Sequence, residues 1–317
     1  ADEQGNRYIT CINADFSDAD PDCLVVTPRG NWTGKTKGGL ILSHDQGRTF
    51  RRLPMPFGLS KELDEALHFI ECPNVNSGWV ALSPDTKHIV WSVADGIDLP
   101  ISRLLVNHDG GETFSFGKVY DLQGSQVIKG RLKVYADRMD SSLFYGWGDH
   151  SDFYISHDSG STYHQYPLPD EFPVVNFGLI DCANRTEIRG ETGKTGTFYI
   201  ATGQGGLWKL IYTPDKDTVT LRRLSAEGDA IYRMGLGLGA PDADYYKDNK
   251  AIYCNGIIEG EYGFYRSLDD GASFERLNTD RQMYGEINSI DGDCRVFGRF
   301  YLATGSNGIK YGSIQKP

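Results

Sequence analysis

The sequence holds a small set of acidic and histidine residues, in segments between its apolar runs, whose side chains could transfer protons. They are Asp95, Asp98, Asp149, His150, Asp152, Glu259 and Glu261. Two carboxyl groups can act as general acid and general base when the environment raises the pKa of one of them. His150 lies between two aspartates and could instead be a general base, as in a lyase. The catalytic residues stay unknown from sequence, with the candidates Asp149, His150, Asp152, Glu259 and Glu261.

Aromatic and amide residues in the same kind of segment have the side chains that bind sugars. A flat ring covers the apolar face of a pyranose, and amide groups hydrogen-bond to its hydroxyls. The candidates for substrate binding are Trp147, Tyr262, Gln282, Tyr284 and Asn307. The alternative for the aromatic residues is packing between strands, and for the acidic residues it is an ordinary solvated loop.

Two segments approach a ligand-binding motif without matching it. The acidic segment 18–23 has the spacing of a calcium loop, but Cys23 stands where that loop needs glycine. The glycine-rich segment 235–239 lacks the last spacing and the strand–helix context of a dinucleotide site. The sequence therefore predicts no cofactor and no bound metal.

The composition excludes two classes of partner. Lys and Arg total 32 against 43 Asp and Glu, and this net charge of −11 disfavours nucleic acid. The apolar runs are only a few residues long, so no membrane partner and no membrane-spanning helix are expected.

Six cysteines and two N-x-S/T sequons favour a secreted, extracellular glycoprotein. The cysteines are widely spaced, and their even number fits three disulfides of undetermined pairing. The sequons predict glycosylation at Asn31 and Asn184. The alternative is a set of buried free thiols, with sequons that occur by chance.

An eight-residue pattern occurs four times and organises the chain. It reads Ser/Asn-x-Asp-x-Gly-x-Thr/Ser-aromatic, and its copies span residues 43–50, 107–114, 156–163 and 267–274. The Asp carboxylate can accept backbone N–H groups across a bend, and the Gly can adopt a positive φ. This is the Asp-box, a turn between the third and fourth strands of a propeller blade. Its four aspartates are therefore predicted to be structural.

Short apolar segments with a period of two flank each copy, which predicts β-strands. We expect an all-β fold, an Asp-box β-propeller of six to seven four-stranded blades that forms a single domain over residues 1–317. A degenerate copy of the turn is expected within 207–224. The last blade, from residue 286 to 314, is short of an outer strand, so a missing segment or a partner could complete it.

Several segments resemble glycoside hydrolase family 74, whose members act on xyloglucan. They are 77–85, 88–92, 135–147, 263–274, 282–285, 292–305 and 307–312. These segments cover nearly the whole chain in the order of the family's C-terminal propeller. The resemblance implies a secreted, inverting hydrolase of xyloglucan or β-1,4-glucan, or its C-terminal half. It also implies a polysaccharide or oligosaccharide ligand, and a second propeller as a further domain or chain.

The resemblance leaves the enzymatic activity open. The family's catalytic Asp of this propeller lies in a Gly-Asp-Ile-Gly-Gly-like segment, and the sequence contains none. An inverting hydrolase needs two carboxyl groups about 6.5–9.5 Å apart. Two alternatives therefore remain: a non-catalytic propeller that binds a carbohydrate or a protein, and a polysaccharide lyase with a different site.

Overall fold

A computed structural model describes most of the chain, and its contacts divide the chain into two compact units. The described residues are 10–29, 40–53, 78–93, 102–127, 132–148, 151–174, 186–305 and 307–313. The units are Ala1–Pro167 and Leu168–Pro317. No helix within the described ranges is long and apolar enough to cross a membrane.

The first unit contains three sheets whose strands pair antiparallel in chain order. The first sheet consists of β1 (Thr10–Phe16), β2 (Leu24–Arg29), β3 (Ile41–Ser43) and β4 (Arg51–Arg52). The second consists of β5 (Trp79–Leu82), β6 (Ile89–Ser92), β7 (Leu104–Asn107) and β8 (Ser115–Phe116). The third contains, besides an added edge strand, β10 (Lys133–Ala136), β11 (Phe144–Trp147), β12 (Phe153–Ser156) and β13 (Thr162–Tyr166).

The added edge strand of the third sheet comes from the preceding connection. It is β9 (Lys118–Tyr120), which follows the second sheet and pairs in parallel with β13. The rings of Tyr120 and His164 stack with their centroids 5.0 Å apart. The connection is therefore held along the outer edge of the next sheet.

The second unit also contains three sheets with antiparallel strands in chain order. The fourth sheet consists of β14 (Glu187–Gly190), β15 (Thr197–Ala201), β16 (Leu207–Thr213) and β17 (Thr218–Arg223). The fifth consists of β18 (Ala230–Leu238), β19 (Lys250–Ile258), β20 (Glu261–Ser267) and β21 (Glu275–Arg276). The sixth consists, in the described part of the chain, of β22 (Ile287–Gly292), β23 (Arg299–Thr304) and β24 (Ile309–Ser313).

This strand order is that of propeller blades, so the predicted all-β propeller class is confirmed. The described residues form six blades, and the sixth has the three strands expected from its length. The prediction of a single domain stays a prediction beside the two compact units.

Apolar faces hold neighbouring sheets together within each unit. Successive side chains of a strand point to opposite faces, and β19 shows the consequence. Cys254 packs with Ala201 of the fourth sheet, whereas Tyr253 packs with Phe300 of the sixth. The side chains of Ala201, Tyr253 and Cys254 are 0% exposed. Burying a large apolar side chain stabilises a fold by about 1.5–3 kcal/mol.

The repeated turns connect the third and fourth strands of four sheets, as predicted. In the third sheet, Asp158 accepts hydrogen bonds from the N–H and the hydroxyl of Thr162, at 2.8 and 2.7 Å. The Ser156 hydroxyl donates to the same carboxylate at 2.8 Å. The same bonds recur around Asp45 and Asp269. Each carboxylate is therefore occupied within its own turn.

The glycine of the repeated turn also lets neighbouring sheets approach each other. Gly160 has a φ of +90°, and a Cβ at this position would collide with Val90 of the second sheet. Gly111 of the second sheet meets Leu53 of the first in the same way. A side chain is excluded here by the backbone conformation and again by the neighbouring sheet.

The degenerate turn expected within 207–224 differs from the repeated pattern. Strands β16 and β17 form the expected hairpin, but Pro214–Lys216 forms a 3-10 turn between them. Asp217 ends this turn in the left-handed conformation and accepts a hydrogen bond from the Tyr212 hydroxyl at 3.0 Å.

The expected set of three disulfides is wrong, because Cys23, Cys254 and Cys294 are free thiols. Cys23 and Cys254 are fully buried in apolar cores. Burial raises the pKa of the Cys23 thiol to about 11 and raises that of Cys254 further. Both residues therefore behave as small apolar side chains.

Candidate functional site

Successive connections lie at alternate ends of each sheet, because antiparallel strands reverse direction at every connection. The turn between the third and fourth strands is therefore at one end, and the loop between the second and third strands is at the other. In the second unit, the end opposite the repeated turn carries the segments 202–206, 225–229, 259–260 and 278–286, and the β23–β24 hairpin. We call this the loop end of the second unit. It holds six of the ten residues predicted to act in catalysis or substrate binding.

Arg276 of β21 joins two segments of the loop end. Its guanidinium donates to the carbonyl of Tyr262 at 3.0 Å and to the carboxylate of Asp280 at 2.8 Å. It also contacts Glu261 at 3.5 Å. Gly263 leaves room for it, since a Cβ there would lie 2.8 Å from Nε of Arg276. Sequence reasoning missed Arg276, and its only signal is its place two residues after the aromatic residue of the fourth repeated turn.

The segment 278–286 folds against the neighbouring strand β20. Asn278 accepts a hydrogen bond from the N–H of Phe264 at 2.7 Å, and the Gln282 side chain accepts one from the N–H of Thr279 at 3.0 Å. The ring of Tyr284 lies nearly parallel to that of Phe264, with their centroids 6.2 Å apart. Tyr284 is 37% exposed, so part of its ring is open to solvent beside the exposed Gln282.

Two further predicted residues are positioned by their backbone groups. Glu259 has a φ of +52° in the turn between β19 and β20, and its N–H donates to Asp229 at 2.9 Å. The N–H of Asn307 donates to the Thr304 hydroxyl at 2.8 Å in the β23–β24 hairpin. Both residues are exposed. The structure thus places Glu261 and Tyr262 against Arg276. Gln282 and Tyr284 lie in the segment that Arg276 holds through Asp280, and Glu259 and Asn307 lie at the same end.

The predicted residues of the first unit have different surroundings. Trp147 is 1% exposed, and its ring centroid lies 4.7 Å from that of Phe153. Asp152 accepts a hydrogen bond from Gln165 at 2.9 Å. Burial, and after it the charge of Asp152, raises the pKa of Tyr154 to about 12. A sugar platform must be open to solvent, so Trp147 packs the blade in this structure. Six residues named as candidates from the sequence lie outside the described ranges: Asn31, Asp95, Asp98, Asp149, His150 and Asn184.

The loop end of the second unit has the chemistry of a surface for a neutral, hydroxyl-rich ligand. Carboxylate and amide oxygens accept hydrogen bonds, and an open tyrosine ring offers an apolar face. The side chain of Glu261 is 68% exposed beside Arg276, so its oxygens are open to hydrogen bonds from the hydroxyls of a ligand.

The curated proteins to which the chain is similar are xyloglucanases. No protein-family profile matches it. It is 33% identical to a xyloglucanase of Acetivibrio thermocellus over 307 residues, which are 96% of this chain. It is 27% identical over 311 residues to a xyloglucanase of Paenibacillus sp.. The chain spans 30% and 26% of the length of these two relatives.

Solved structures show the same fold. The GH74 xyloglucanase from Xanthomonas campestris superposes with a TM-score of 0.68 at 23% identity, over 98% of this chain and 38% of that chain. The GH74 enzyme from Niastella koreensis superposes with a TM-score of 0.65 at 21% identity, over 96% of this chain and 37% of that chain. Both similarities support the β-propeller fold of the chain.

Proposed function

We propose that this chain, a GH74-like β-propeller, binds xyloglucan or a related β-1,4-glucan through the loop end of its second unit. The observation that carries the proposal is the 33% identity with a xyloglucanase over 96% of the chain. The side chains at the loop end support it, because they combine an open aromatic ring with exposed hydrogen-bond acceptors. Since the chain spans 30% of that relative, we assign it glycan recognition within a larger hydrolytic protein.

The contacts of Arg276 explain how this surface would be held ready for a glycan. The guanidinium fixes the β19–β20 hairpin to the segment 278–286 through Tyr262 and Asp280. The hydrogen bond to Asp280 raises the pKa of Arg276, which strengthens its hold on the charged form of the guanidinium. A preformed surface loses less conformational entropy when a flexible sugar chain binds. Tyr284 would then cover one sugar ring, and Gln282 would bind hydroxyls beside it.

Inverting hydrolysis is the reaction that we propose for the complete protein. It requires one protonated and one ionised carboxyl group about 6.5–9.5 Å apart. Glu259 and Glu261 are exposed, so we assign them to binding. A second propeller, as a further domain or a partner chain, would contribute to the catalytic pair. Secretion belongs to the same proposal, because a polymeric glucan must be met outside the cell.

The test is a binding and digestion series with the purified chain. Xyloglucan, undecorated β-1,4-glucan and an unrelated plant polysaccharide are each titrated by calorimetry, and products are analysed by mass spectrometry. We expect saturable binding to xyloglucan that Tyr284→Ala weakens. Tyr246→Ala is the matched control, because Tyr246 is 52% exposed in the connection between β18 and β19, at the opposite end of the sheet.

Each outcome separates the alternatives. Binding without new reducing ends supports glycan recognition by a part of a hydrolase. New reducing ends would show that the chain holds its own acid and base, and the assignment of Glu259 and Glu261 to binding alone would be wrong. Unsaturated products that absorb ultraviolet light would identify a lyase. Failure to bind any glucan would reject the proposal.

A further inference from the structure

Asn278 stands where the fourth strand of the fifth sheet gives way to the loop-end segment 278–286. Just beyond the paired residues of β20 and β21, the N–H of Leu277 donates to the carbonyl of Phe264 at 2.7 Å. The N–H of Phe264 in turn donates to the side-chain oxygen of Asn278 at 2.7 Å. A backbone N–H inside a fold needs an acceptor, and here a side chain supplies it in place of a main-chain carbonyl. The main chain can therefore leave the sheet at residue 278 without leaving the strand N–H unpaired.

The fourth sheet makes the same exit with a serine. Ser225 and Asn278 each follow the fourth strand of their sheet by two residues. The N–H of Leu207 in β16 donates to the Ser225 hydroxyl at 3.0 Å. In both sheets a glycine leaves room for the acceptor, since a Cβ would collide with it: Gly206 for Ser225, and Gly263 for Asn278. Accepting the strand N–H is thus a structural task that serine can perform.

The amide nitrogen of Asn278 makes contacts that a serine hydroxyl in the same place does not make. It lies 3.1 Å from the carbonyl oxygen of Thr279, 3.5 Å from that of Gln282 and 3.6 Å from the sulfur of Met283. An amide nitrogen carries two hydrogens to donate, and these three acceptors surround it. Asn278 therefore ties the turn over residues 279–283 to strand β20.

Tyr284 follows this turn directly and has an unusual backbone conformation. Its φ is +50°, and that of Gly285 after it is +70°. Non-glycine residues seldom adopt a left-handed conformation, and it persists only where the surroundings fix it. The ring of Tyr284 is inclined by 16° to that of Phe264. Asn278 contacts Phe264 directly and also contacts Met283, which precedes Tyr284 in the chain.

We infer that Asn278 is a positioning residue, which sets the direction in which Tyr284 offers its ring to a sugar. The glycan in this inference rests on the proposed function, whereas the effect of Asn278 on Tyr284 does not. A side chain that contacts a ligand binds better when its support already holds it in the bound orientation. Arg276 holds the same segment through Asp280, and Asn278 holds it next to Tyr284.

The test compares Asn278→Ser with wild type in the purified chain. Serine keeps an acceptor for the strand N–H, as Ser225 does, but has no amide nitrogen. We expect the midpoint of denaturant unfolding to stay near that of wild type. Calorimetry should show xyloglucan affinity lowered about two- to tenfold, the range that corresponds to one net hydrogen bond. Nuclear magnetic resonance of ¹³C-labelled tyrosine, assigned with Tyr284→Phe, should show the Tyr284 signal shifted or broadened.

Two further variants separate positioning from stability. Asn278→Ala removes the acceptor as well, so it should lower both the unfolding midpoint and the affinity. Ser102→Ala is the matched control in the first unit, because the buried Ser102 hydroxyl accepts the N–H of Leu104 in β7 at 3.1 Å. It should lower the unfolding midpoint and leave the Tyr284 signal and the xyloglucan affinity unchanged. Should Asn278→Ser also prove unstable, Asn278→Asp keeps the acceptor and the shape of the side chain and takes its place.

Three results are decisive. Wild-type affinity in Asn278→Ser, with wild-type chain that does bind xyloglucan, would overturn the inference. A Tyr284 signal that is unchanged in both Asn278 variants would overturn it as well. A wild-type chain that binds no glucan would reject the proposed function, and the Tyr284 signal alone would then decide: a change in Asn278→Ser supports the positioning role, and no change overturns it.

Discussion

The two ends of the fifth sheet use carboxylates in opposite ways. At the turn end, Asp269 accepts hydrogen bonds from the N–H and hydroxyl of Ser273 and from the hydroxyl of Ser267. At the loop end, the Glu261 side chain is 68% exposed and contacts Arg276 at 3.5 Å. The Asp269 carboxylate makes its hydrogen bonds within its own eight-residue turn. The Glu261 carboxylate can still accept hydrogen bonds from a ligand.

This difference shows how one sheet separates stability from recognition. A carboxylate with saturated hydrogen bonds stabilises its turn, and removing it leaves N–H donors without partners. An exposed carboxylate can be changed with little effect on folding. Changes at the turn end should therefore reduce stability and spare glycan affinity, and changes at the loop end should do the reverse.

Filling the space of a turn glycine should have the largest effect. Gly160→Ala combines strain at a φ of +90° with a collision against Val90, and we expect a loss of roughly 2–4 kcal/mol of unfolding free energy. Gly110→Ala is the control, because Gly110 has a φ of +70° but nothing within 4 Å of its Cβ position. Denaturant unfolding should give Gly160→Ala a lower free energy of unfolding than Gly110→Ala. Equal stabilities would show that the contact between sheets contributes nothing.

Removing a turn carboxylate should have the next largest effect. Asp158→Ala removes the hydrogen bonds to Thr162 and Ser156, and we expect a loss of about 1–3 kcal/mol. Asp215→Ala, in the exposed 3-10 turn of the fourth sheet, should change stability by less than about 0.5 kcal/mol. Thermal unfolding of both variants measures the contrast. Wild-type stability of Asp158→Ala would disprove the structural role of the carboxylate.

A pH profile should reveal the turn carboxylates with a smaller effect. Hydrogen bonds, first from the side chains of Thr49 and Ser273, lower the pKa of Asp45 and Asp269 to about 2 from 3.8. The folded state thus favours the ionised form. The resulting stability is fully present above about pH 4 and is lost as the pH falls towards 2. Between pH 4 and pH 2, the unfolding free energy should depend less steeply on pH in Thr49→Val than in Thr49→Ser. Identical slopes would show that the side-chain hydroxyl of residue 49 does not lower the pKa of Asp45.

The smallest effect on stability is expected at the loop end. Glu261→Gln should change the unfolding free energy by less than about 0.5 kcal/mol, yet weaken xyloglucan binding a few-fold, because an amide is a poorer acceptor. Glu112→Gln is the matched control. Glu112 is 62% exposed and contacts Arg51 at 3.4 Å, an equivalent ion pair at the turn end of the second sheet. Calorimetry should find weaker binding in Glu261→Gln alone, and equal loss in both would contradict the assignment.

The turn end was predictable from sequence because its chemistry is local. Every turn partner of Asp158 lies within four residues of it, so the pattern is visible in a single window of sequence. The flanking strands were predicted from the apolar segments on either side of each copy of this pattern. The parallel pairing of β9 with β13 was not predictable, because Val119 and Tyr163 are distant in the chain and Val119 belongs to no motif.

At the loop end, the sequence predicted residue types but not their exposure. Trp147 and Tyr284 are both aromatic residues near the end of a blade strand or connection, yet they are 1% and 37% exposed. Packing between strands decides this difference, since Trp147 lies against Phe153 of β12 and Tyr284 lies against Phe264 of β20. Arg276 was missed for the same reason, because its partners Glu261 and Tyr262 belong to another strand.

A second regularity was visible only in the structure. In three sheets, an acidic residue directly after the first strand accepts a hydrogen bond from a tyrosine eight residues later. The pairs are Asp137–Tyr145, Glu191–Tyr199 and Asp293–Tyr301. Serine takes the acidic position in the first two sheets, as Ser17 and Ser83, which weakens the pattern in sequence.

Turn glycines make the second, third and fifth sheets dependent on the sheet before them. Gly111 is covered by Leu53, Gly160 by Val90 and Gly271 by Leu224, so each of these turns closes fully only against the preceding sheet. Within each unit, the sheets joined in this way are therefore coupled to their nearest neighbours. Amide hydrogens of an interior sheet should exchange only after an adjacent sheet opens. A gene duplication that copies two adjacent blades would preserve this coupling. A single duplicated blade would lack the side chain of the preceding blade that covers its turn glycine.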